Sequence, residues 1–446
     1  MIEPIFLCGR RNMTMSDPKP NSVEDALGAD DAKNSQIQSA KDHCSCEAIL
    51  GRVIQQYSET RKFWGTQPVG HFKDLKDTTS LTEGPIEPST LVSKVKQEPY
   101  NLLGQLEWTT CDLNSDDLCS ELYNFLKENY PDDGLLFKTE YSREFLRWAL
   151  CPPGYYQSWH IGVRVKTSKK LVAFIGGVPV RIRVRDEVIK MAKINFLCVH
   201  KKLRSKGLAP VMIKEVTRRI HLENIWQAAY NSYLVLSRPL TTCRFWGRLL
   251  NPKKIIDVGI KSLSGRMTMS MAIKVNKLPD APITPGFREM ERRDVPVVTE
   301  LLRNYLCQFE VAADFDENDV KHCFLPRENV IYSYLVVSPE THDVTDFCSF
   351  YSVPATITRN PKYTTLECAY SYYNVATVTS FPQLMKDALI ISKLKGFDML
   401  YASDVMHNQS FFKELRFTPG NELFHYYLYN YRLGSSLKPS ELGLVL

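Results

Sequence analysis

The run Asn195-Phe196-Leu197-Cys198-Val199-His200-Lys201-Lys202-Leu203-Arg204-Ser205-Lys206-Gly207-Leu208-Ala209-Pro210 constrains the chain more than any other stretch. It reads as an uncharged strand, a short basic loop and the start of a helix. That helix is expected to reach about His221, with Val211, Met212, Val216 and Ile220 on one face and Lys214, Arg218 and Arg219 outside. A strand feeding a helix through a tight loop belongs to an α/β architecture. The loop also carries a chemistry. The first N–H groups of a helix lack intrahelical partners, so donors and dipole together stabilise an anion there. Gly207 and Ala209 are small enough for a pyrophosphate to approach the backbone, and Lys201, Lys202, Arg204 and Lys206 supply countercharge. An ordinary turn with solvated lysines would use the same letters, because short glycine motifs recur by chance.

The rest of the chain frames this loop. At 446 residues it exceeds one ordinary core and suits two domains of similar size. Residues 1–48 are polar, poor in aromatics and without periodicity, which predicts a disordered arm. Two units follow, 49–280 and 281–446, each an α/β unit with a mostly antiparallel sheet. Strands are expected at Glu107–Thr110, Leu171–Val178, Val180–Ile189, Asn195–Val199 and Ile225–Tyr230. A similar order returns with strands at Phe287–Met290, Tyr334–Val337, Phe347–Val353, Glu367–Val375 and Phe397–Tyr401, and a helix over Phe381–Leu394. That likeness of order, more than of letters, suggests an internal duplication.

Charge and cysteines exclude several classes. The net charge of +6 is spread among interleaved acids and bases, which argues against nucleic-acid readout. Twelve cysteines include no CxxC pair, only Cys44 and Cys46 lie close together, and no zinc spacing exists. No apolar run could span a bilayer, the first residues lack the layout of a signal peptide, and position 2 is not glycine. The expectation is a cytoplasmic, metal-free protein with no permanently bound cofactor and no need to be more than a monomer.

The Arg-x-x-Gly-x-Ala turn at 204–209 resembles the acyl-CoA loop of the Gcn5-related acetyltransferases. The longer string Lys193–Lys206 resembles the signature of the protein N-myristoyltransferases, and looks closest to plant members. The resemblance covers roughly residues 55–446. It includes Phe63-Trp64 with Thr66-Gln67-Pro68, Phe145–Leu150, Leu249 with Asn251-Pro252, and Tyr426–Asn430. It implies two tandem acetyltransferase-like units, myristoyl-CoA as co-substrate, and N-terminal glycine peptides of nascent proteins as acceptors, with the ribosome a candidate partner. Lys62, Phe63, Trp64, Gly65, Phe196, Leu197, Cys198, Val199, Arg204, Ser205, Lys206, Gly207, Leu208 and Ala209 would line the CoA and acyl site. The N–H groups of Phe196 and Leu197 would form an oxyanion hole. Asn195 and the terminal carboxylate of Leu446 would handle the amine, and Tyr130, Asn231, Tyr373 and Asn421 would meet the peptide. Cys198, inside an apolar strand, reads as packing and not as a nucleophile.

The tail Leu442-Gly443-Leu444-Val445-Leu446 is apolar where chain ends are usually polar, which suggests that it threads inside. Burial would raise its carboxylate's pKa and make it a better base. Several acceptor-side positions depart from the family. The tail is one residue shorter, Asn231-Ser232-Tyr233 replaces Thr-Ala-Gly, Gly247 replaces histidine, and Gly420-Asn421-Glu422 replaces Gly-Asp-Gly. The acidic loop keeps only Asp132 and Asp133 before Gly134, and Gly207 stands where arginine is common. The departures leave a second reading open, a diverged relative that binds acyl-CoA or glycine-initiated peptides with weak turnover.

Overall fold

The computed structural model describes residues 62–71, 82–130, 137–263, 265–358 and 360–446; the arm 1–48 lies outside them. From Thr82 to Gln105 the chain is irregular apart from one short turn of 3-10 helix, as its prolines predict. Strand β1 (Leu106–Thr110) then leads to helix α1 (Asp116–Asn129), capped by the Ser115 hydroxyl, which accepts from the Leu118 N–H. The short β2 (Phe137–Thr139) and α2 (Arg143–Leu150, capped by Ser142) follow. Next come β3 (Ile161–Val165), β4 (Leu171–Val184), β5 (Glu187–Val199), α3 (Leu208–Leu222), β6 (Gln227–Ser232) and β7 (Thr241–Leu249). Two small helices, α4 (Pro252–Asp257) and α5 (Met269–Val275), lead to the second half.

There β8 (Phe287–Glu289), α6 (Val295–Leu306), β9 (Val311–Ala313), α7 (Glu317–Phe324), β10 (Ile331–Val337) and β11 (Val344–Ser352) come first. After the short β12 (Ala355–Ile357) and β13 (Thr365–Leu366) come β14 (Cys368–Val375), α8 (Phe381–Leu394), β15 (Met399–Ser403), β16 (Thr418–Tyr429) and β17 (Leu442–Gly443). One 14-stranded sheet runs through both halves in the order β1-β3-β4-β5-β6-β16-β7-β15-β14-β11-β10-β8, with β9 and β17 off that path. The order is symmetric about its middle. In each half two helices precede an antiparallel trio, and a crossover helix (α3 or α8) then brings a parallel strand alongside. The halves exchange their last strands: β16 lies between β6 and β7, and β7 pairs with β15.

Packing follows the alternation of side chains along the strands. One continuous core on one face joins α1, α2, α6 and α7, while separate cores lie under α3 and α8 on the other.

Three expectations need correction. The segments at Leu171–Val178, Val180–Ile189 and Asn195–Val199 are two long strands, not three. Pro179 does not break β4, because between Ile175 and Ile182 only one edge of that strand is paired. The reversal falls at Arg185, whose φ of 52° supplies the turn without glycine. The third concerns α3: Leu208, Met212, Val216 and Ile220 face the core as an i, i+4 stripe, but Arg218 is buried too. It pairs with fully buried Glu215 at 2.7 Å and donates to the Gln97 carbonyl, while Glu215 also accepts from Arg219 and from the Tyr100 N–H. This network fastens the irregular 96–100 segment onto α3.

Glu215 makes a test. Burial alone would raise its pKa, but the hydrogen bonds from Arg218 and Arg219 outweigh it and hold the carboxyl below its usual 4.5. Its stabilisation is complete above that value and fades as the pH falls through the lowered one. Glu215→Ala leaves Arg218 buried and unpaired, so urea unfolding near neutral pH should show a loss of about 3–5 kcal/mol. That deficit should shrink in acid.

Candidate functional site

Strand β5 is irregular where the sequence signal is sharpest. Phe174 pairs with Cys198 and Gly176 with Asn195, so Ile175 alone faces both Phe196 and Leu197. This is a β-bulge, which takes a residue out of the ladder and re-aims the backbone. Phe196 adopts φ 56°, uncommon for a bulky side chain and costing of order 1–3 kcal/mol. Surrounding rings hold it: Tyr141 meets Phe196 edge-on at 5.1 Å, and Tyr130 lies 6.1 Å away. Tyr130 is thus buried behind the bulge. On its other edge β5 pairs with β6 only from Met191 to Lys193, opposite Gln227 to Ala229. Beyond that the parallel strands part, while β6 continues along β16.

The basic loop closes one end of this gap. Its base is pinned: the Asn129 side chain accepts from the Lys201 N–H at 3.2 Å, and His200 accepts from the Lys202 N–H. Arg204 donates to the carbonyls of Val199 (3.3 Å) and Asn129, so it ties the loop to the end of α1. Ser205 (φ 60°) and Gly207 (φ 75°) are both left-handed, and Gly207 is the N-cap of α3. A Cβ on Gly207 would meet nothing within 4 Å, so conformation and not space favours glycine there. Ser205, Lys206 and Gly207 are exposed, Ala209 is part-buried and Leu208 is buried in the core. The first-turn N–H groups therefore face an open loop.

Under α3, on the face of β5 that carries Ile194, lies a small apolar pocket of about 30 Å³, lined by Trp64, Ile194, Ile213, Val216, Ile220 and Tyr230 among others. Trp64 stacks on Tyr230 at 5.4 Å, Tyr230 on Tyr427 at 5.0 Å, and Phe63 meets Trp64 edge-on. His221, also in the lining, is pushed down to about 4 by burial, which keeps that wall uncharged at neutral pH. Lys62 and Gly65 are exposed beside this wall. Val199 packs into the same core. Sequence reasoning found Trp64 but missed Tyr230, Ile213 and His221, whose letters look like ordinary core and surface.

The opposite face of β5 meets the chain's end. Cys198 is buried there, and burial, only partly offset by Arg204, pushes its thiol up to about 12. Strand β17 runs parallel to β9, and the Met406 N–H donates to the carbonyls of Pro439 and Leu442. Gly443 is required by space: a Cβ would lie 2.8 Å from the Phe309 ring. The Val445 N–H donates to the Tyr373 hydroxyl at 3.0 Å, and the Asn231 amide to the terminal oxygen of Leu446 at 3.4 Å. The buried Tyr426 hydroxyl interacts with the Leu446 backbone. The tail is threaded inside, as its letters suggest.

Continuing the register of Lys193 with Ala229 sets Asn195 level with Asn231. Bulge, amides and terminus thus share one level of the gap. Lys193 faces the same side; burial lowers its pKa, and the group that acts on it is the Cys323 thiol, itself pushed up to about 12 by burial. The sequence reading passed over it. Asn421 is not brought to this group: it is exposed in the irregular stretch between Pro419 and Leu423, and the bonds that hold the tail do not involve it. Tyr233 packs beside Phe424, and Gly247 lies on β7 against Met399 and Tyr401. Asp132, Asp133 and Gly134 lie outside the described residues.

An open loop at a helix start, a small apolar pocket and a buried chain end gathered at one bulge are compatible with transfer of an acyl group from a phosphate-bearing carrier. Comparisons with known proteins agree. The family profile described as myristoyl-CoA:protein N-myristoyltransferase, N-terminal domain, matches residues 85–243, and its C-terminal domain counterpart matches 257–445. The chain is 72% identical over 433 residues to the putative glycylpeptide N-tetradecanoyltransferase 2 of Arabidopsis thaliana, covering 97% of this chain and 100% of that one. It is 70% identical to glycylpeptide N-tetradecanoyltransferase 1 of the same plant, with the same coverage. The crystal structure of the Saccharomyces cerevisiae N-myristoyltransferase with bound myristoyl-CoA superposes with a TM-score of 0.82 at 36% identity, covering 86% of this chain and 99% of that one. With profiles over both halves, full-length relatives and a shared three-dimensional frame, the chain belongs to the myristoyl-CoA:protein N-myristoyltransferase family.

Proposed function

We propose that this protein transfers myristate from myristoyl-CoA to the α-amine of an N-terminal glycine. The observation that carries the proposal is the bulge at Phe196, flanked by the open loop on one side and the threaded terminus on the other. The CoA pyrophosphate rests on the first-turn N–H groups after Gly207, with Lys206 as countercharge, and Arg204 shapes the loop. The acyl chain enters by parting the apolar wall of Trp64 and Tyr230, because the pocket there, about 30 Å³, is itself too small to hold it. The thioester oxygen lies on the N–H groups of Phe196 and Leu197, where charge develops in the transition state. The amine attacks the carbonyl carbon, a C–N bond forms as the C–S bond breaks, and the departing sulfur takes the proton that the new amide nitrogen sheds, so CoA leaves as the thiol. The amine's proton passes to the Leu446 carboxylate, a modest task for a group with a reference pKa of about 7.7–8.0. Asn195 and Asn231, level with each other, orient amine and carboxylate. The two-unit division near residue 280 is supported by the repeated strand order: the first unit supplies loop and pocket, the second the tail and Tyr373.

A second reading is favoured by the departures at Asn231, Tyr233, Gly247 and Asn421 and by the short tail: acyl-CoA binds, but turnover is poor because the carboxylate falls short. Tail length separates the two. In the first reading, deleting Leu446 or adding one leucine after it moves the carboxylate by about 3.3 Å. Each change should then lower kcat on the order of 10²-fold and leave the KM for myristoyl-CoA unchanged. If the added leucine instead raises kcat, the first reading fails and the second holds.

Cys198 provides an independent check. A thiol held protonated up to about 12 is no nucleophile at neutral pH. Cys198→Ala should therefore keep kcat within about threefold, and rapid quenching should trap no acylated cysteine.

A further inference from the structure

We propose that helix α5 and the loop before it form a docking face for an anionic lipid bilayer. Among the described residues twelve large apolar side chains are exposed, and five of them fall in this one short stretch: Leu263 (38%), Met267 (37%), Met271 (50%), Ile273 (45%) and Val275 (42%). Of the seven residues of α5 only Ala272 is buried, so the helix lies on the surface and does not pack into it.

The charges around this apolar stretch have one sign. From Val258 to Pro279 there is no Asp or Glu, whereas Lys261, Arg266, Lys274 and Lys277 are all present. Arg266, Lys274 and Lys277 are exposed, Lys261 is part-exposed, and none of the four forms an ion pair among the described residues. The flanking acids lie outside the stretch: Asp257 pairs with Lys362, and Asp280 follows Pro279. Cations without acids, interleaved with protruding apolar side chains, match a surface that offers negative headgroups above a hydrocarbon layer. Lysine and arginine stems can lie along such a boundary while their charges stay in the headgroup zone.

The element is also held firmly from below. The Thr268 hydroxyl caps α5 by accepting from the Met271 N–H at 3.2 Å. Asn276 donates to the Ala272 carbonyl at 2.8 Å and accepts from buried Arg248, and Arg416 donates to the Val275 carbonyl. Its apolar side chains are therefore presented outward on a fixed base and need no ordering on contact. The inference goes beyond the acyl-transfer reading and does not depend on it.

The test is vesicle co-sedimentation of the full chain. Binding should be on the order of tenfold stronger to vesicles containing phosphatidylserine than to phosphatidylcholine alone, and should weaken as salt is raised. Two sets of surface changes address the two halves of the argument: Lys261→Glu with Arg266→Glu and Lys274→Glu, and Met271→Ser with Ile273→Ser and Val275→Ser. Each should reduce binding to the anionic vesicles on the order of tenfold. The circular-dichroism spectrum and thermal midpoint should stay unchanged in both, which reports that the variants fold; Lys274→Glu alone and Ile273→Ser alone are the milder substitutes if the charge or the apolar triple change does not. Equal binding to both vesicle types, no binding at all, or full binding retained by the variants would overturn the proposal, the last by placing the lipid contact elsewhere in the chain.

Discussion

The parting of β5 from β6 is the constraint on which the rest of the molecule turns. Two parallel strands paired at Met191–Lys193 would ordinarily continue to pair, since each unmade ladder bond leaves a donor and an acceptor wanting. Here the bulge at Phe196 interrupts the regular course of β5, and the pairing with β6 ends before it, at Lys193. The strain at Phe196 persists because Tyr130 and Tyr141 crowd its ring and leave it no relaxed alternative. A strained backbone held by packing is fixed in place, which is what the proposed role of its amides requires.

The same strand separates two environments. Side chains of β5 alternate between the core beneath α3, where the pocket lies, and the larger core that receives the tail. In the proposed reaction a hydrocarbon chain and a peptide amine would approach this one stretch of backbone from opposite sides. The Arg218–Glu215 network belongs to the same design: it anchors the 96–100 wrap on α3, the helix that both roofs the pocket and begins at the anion loop.

What could be read in the letters followed local physics. The helix over Phe381–Leu394 and the turn at 204–207, marked by glycine and charge, lie where the letters put them. The apolar tail foretold its own burial. The long hairpin of β4 and β5 was misjudged because Pro179 is harmless only where a neighbouring strand is missing, a fact of the sheet and not of the residue. Arg185 turned the chain without glycine, with Asp186 as the second turn residue. The bulge at Phe196 carries no compositional mark and was not anticipated; the family resemblance pointed only to the amides of Phe196 and Leu197. On the acceptor side, Asn231 stood among the departures from the family, yet its amide reaches the terminal oxygen of Leu446. Strands β7 and β16 were not anticipated, since their neighbours come from the other half of the chain.

That exchange bears on how the protein is made. A nascent first half would emerge with β6 and β7 consecutive in the chain but unable to pair, because the strand that lies between them is synthesised roughly two hundred residues later. Until β16 arrives, both would present bare edges of the sort that recruit foreign strands. Maturation is thus a single late closure, and the interval before it is the period in which a chaperone would matter most.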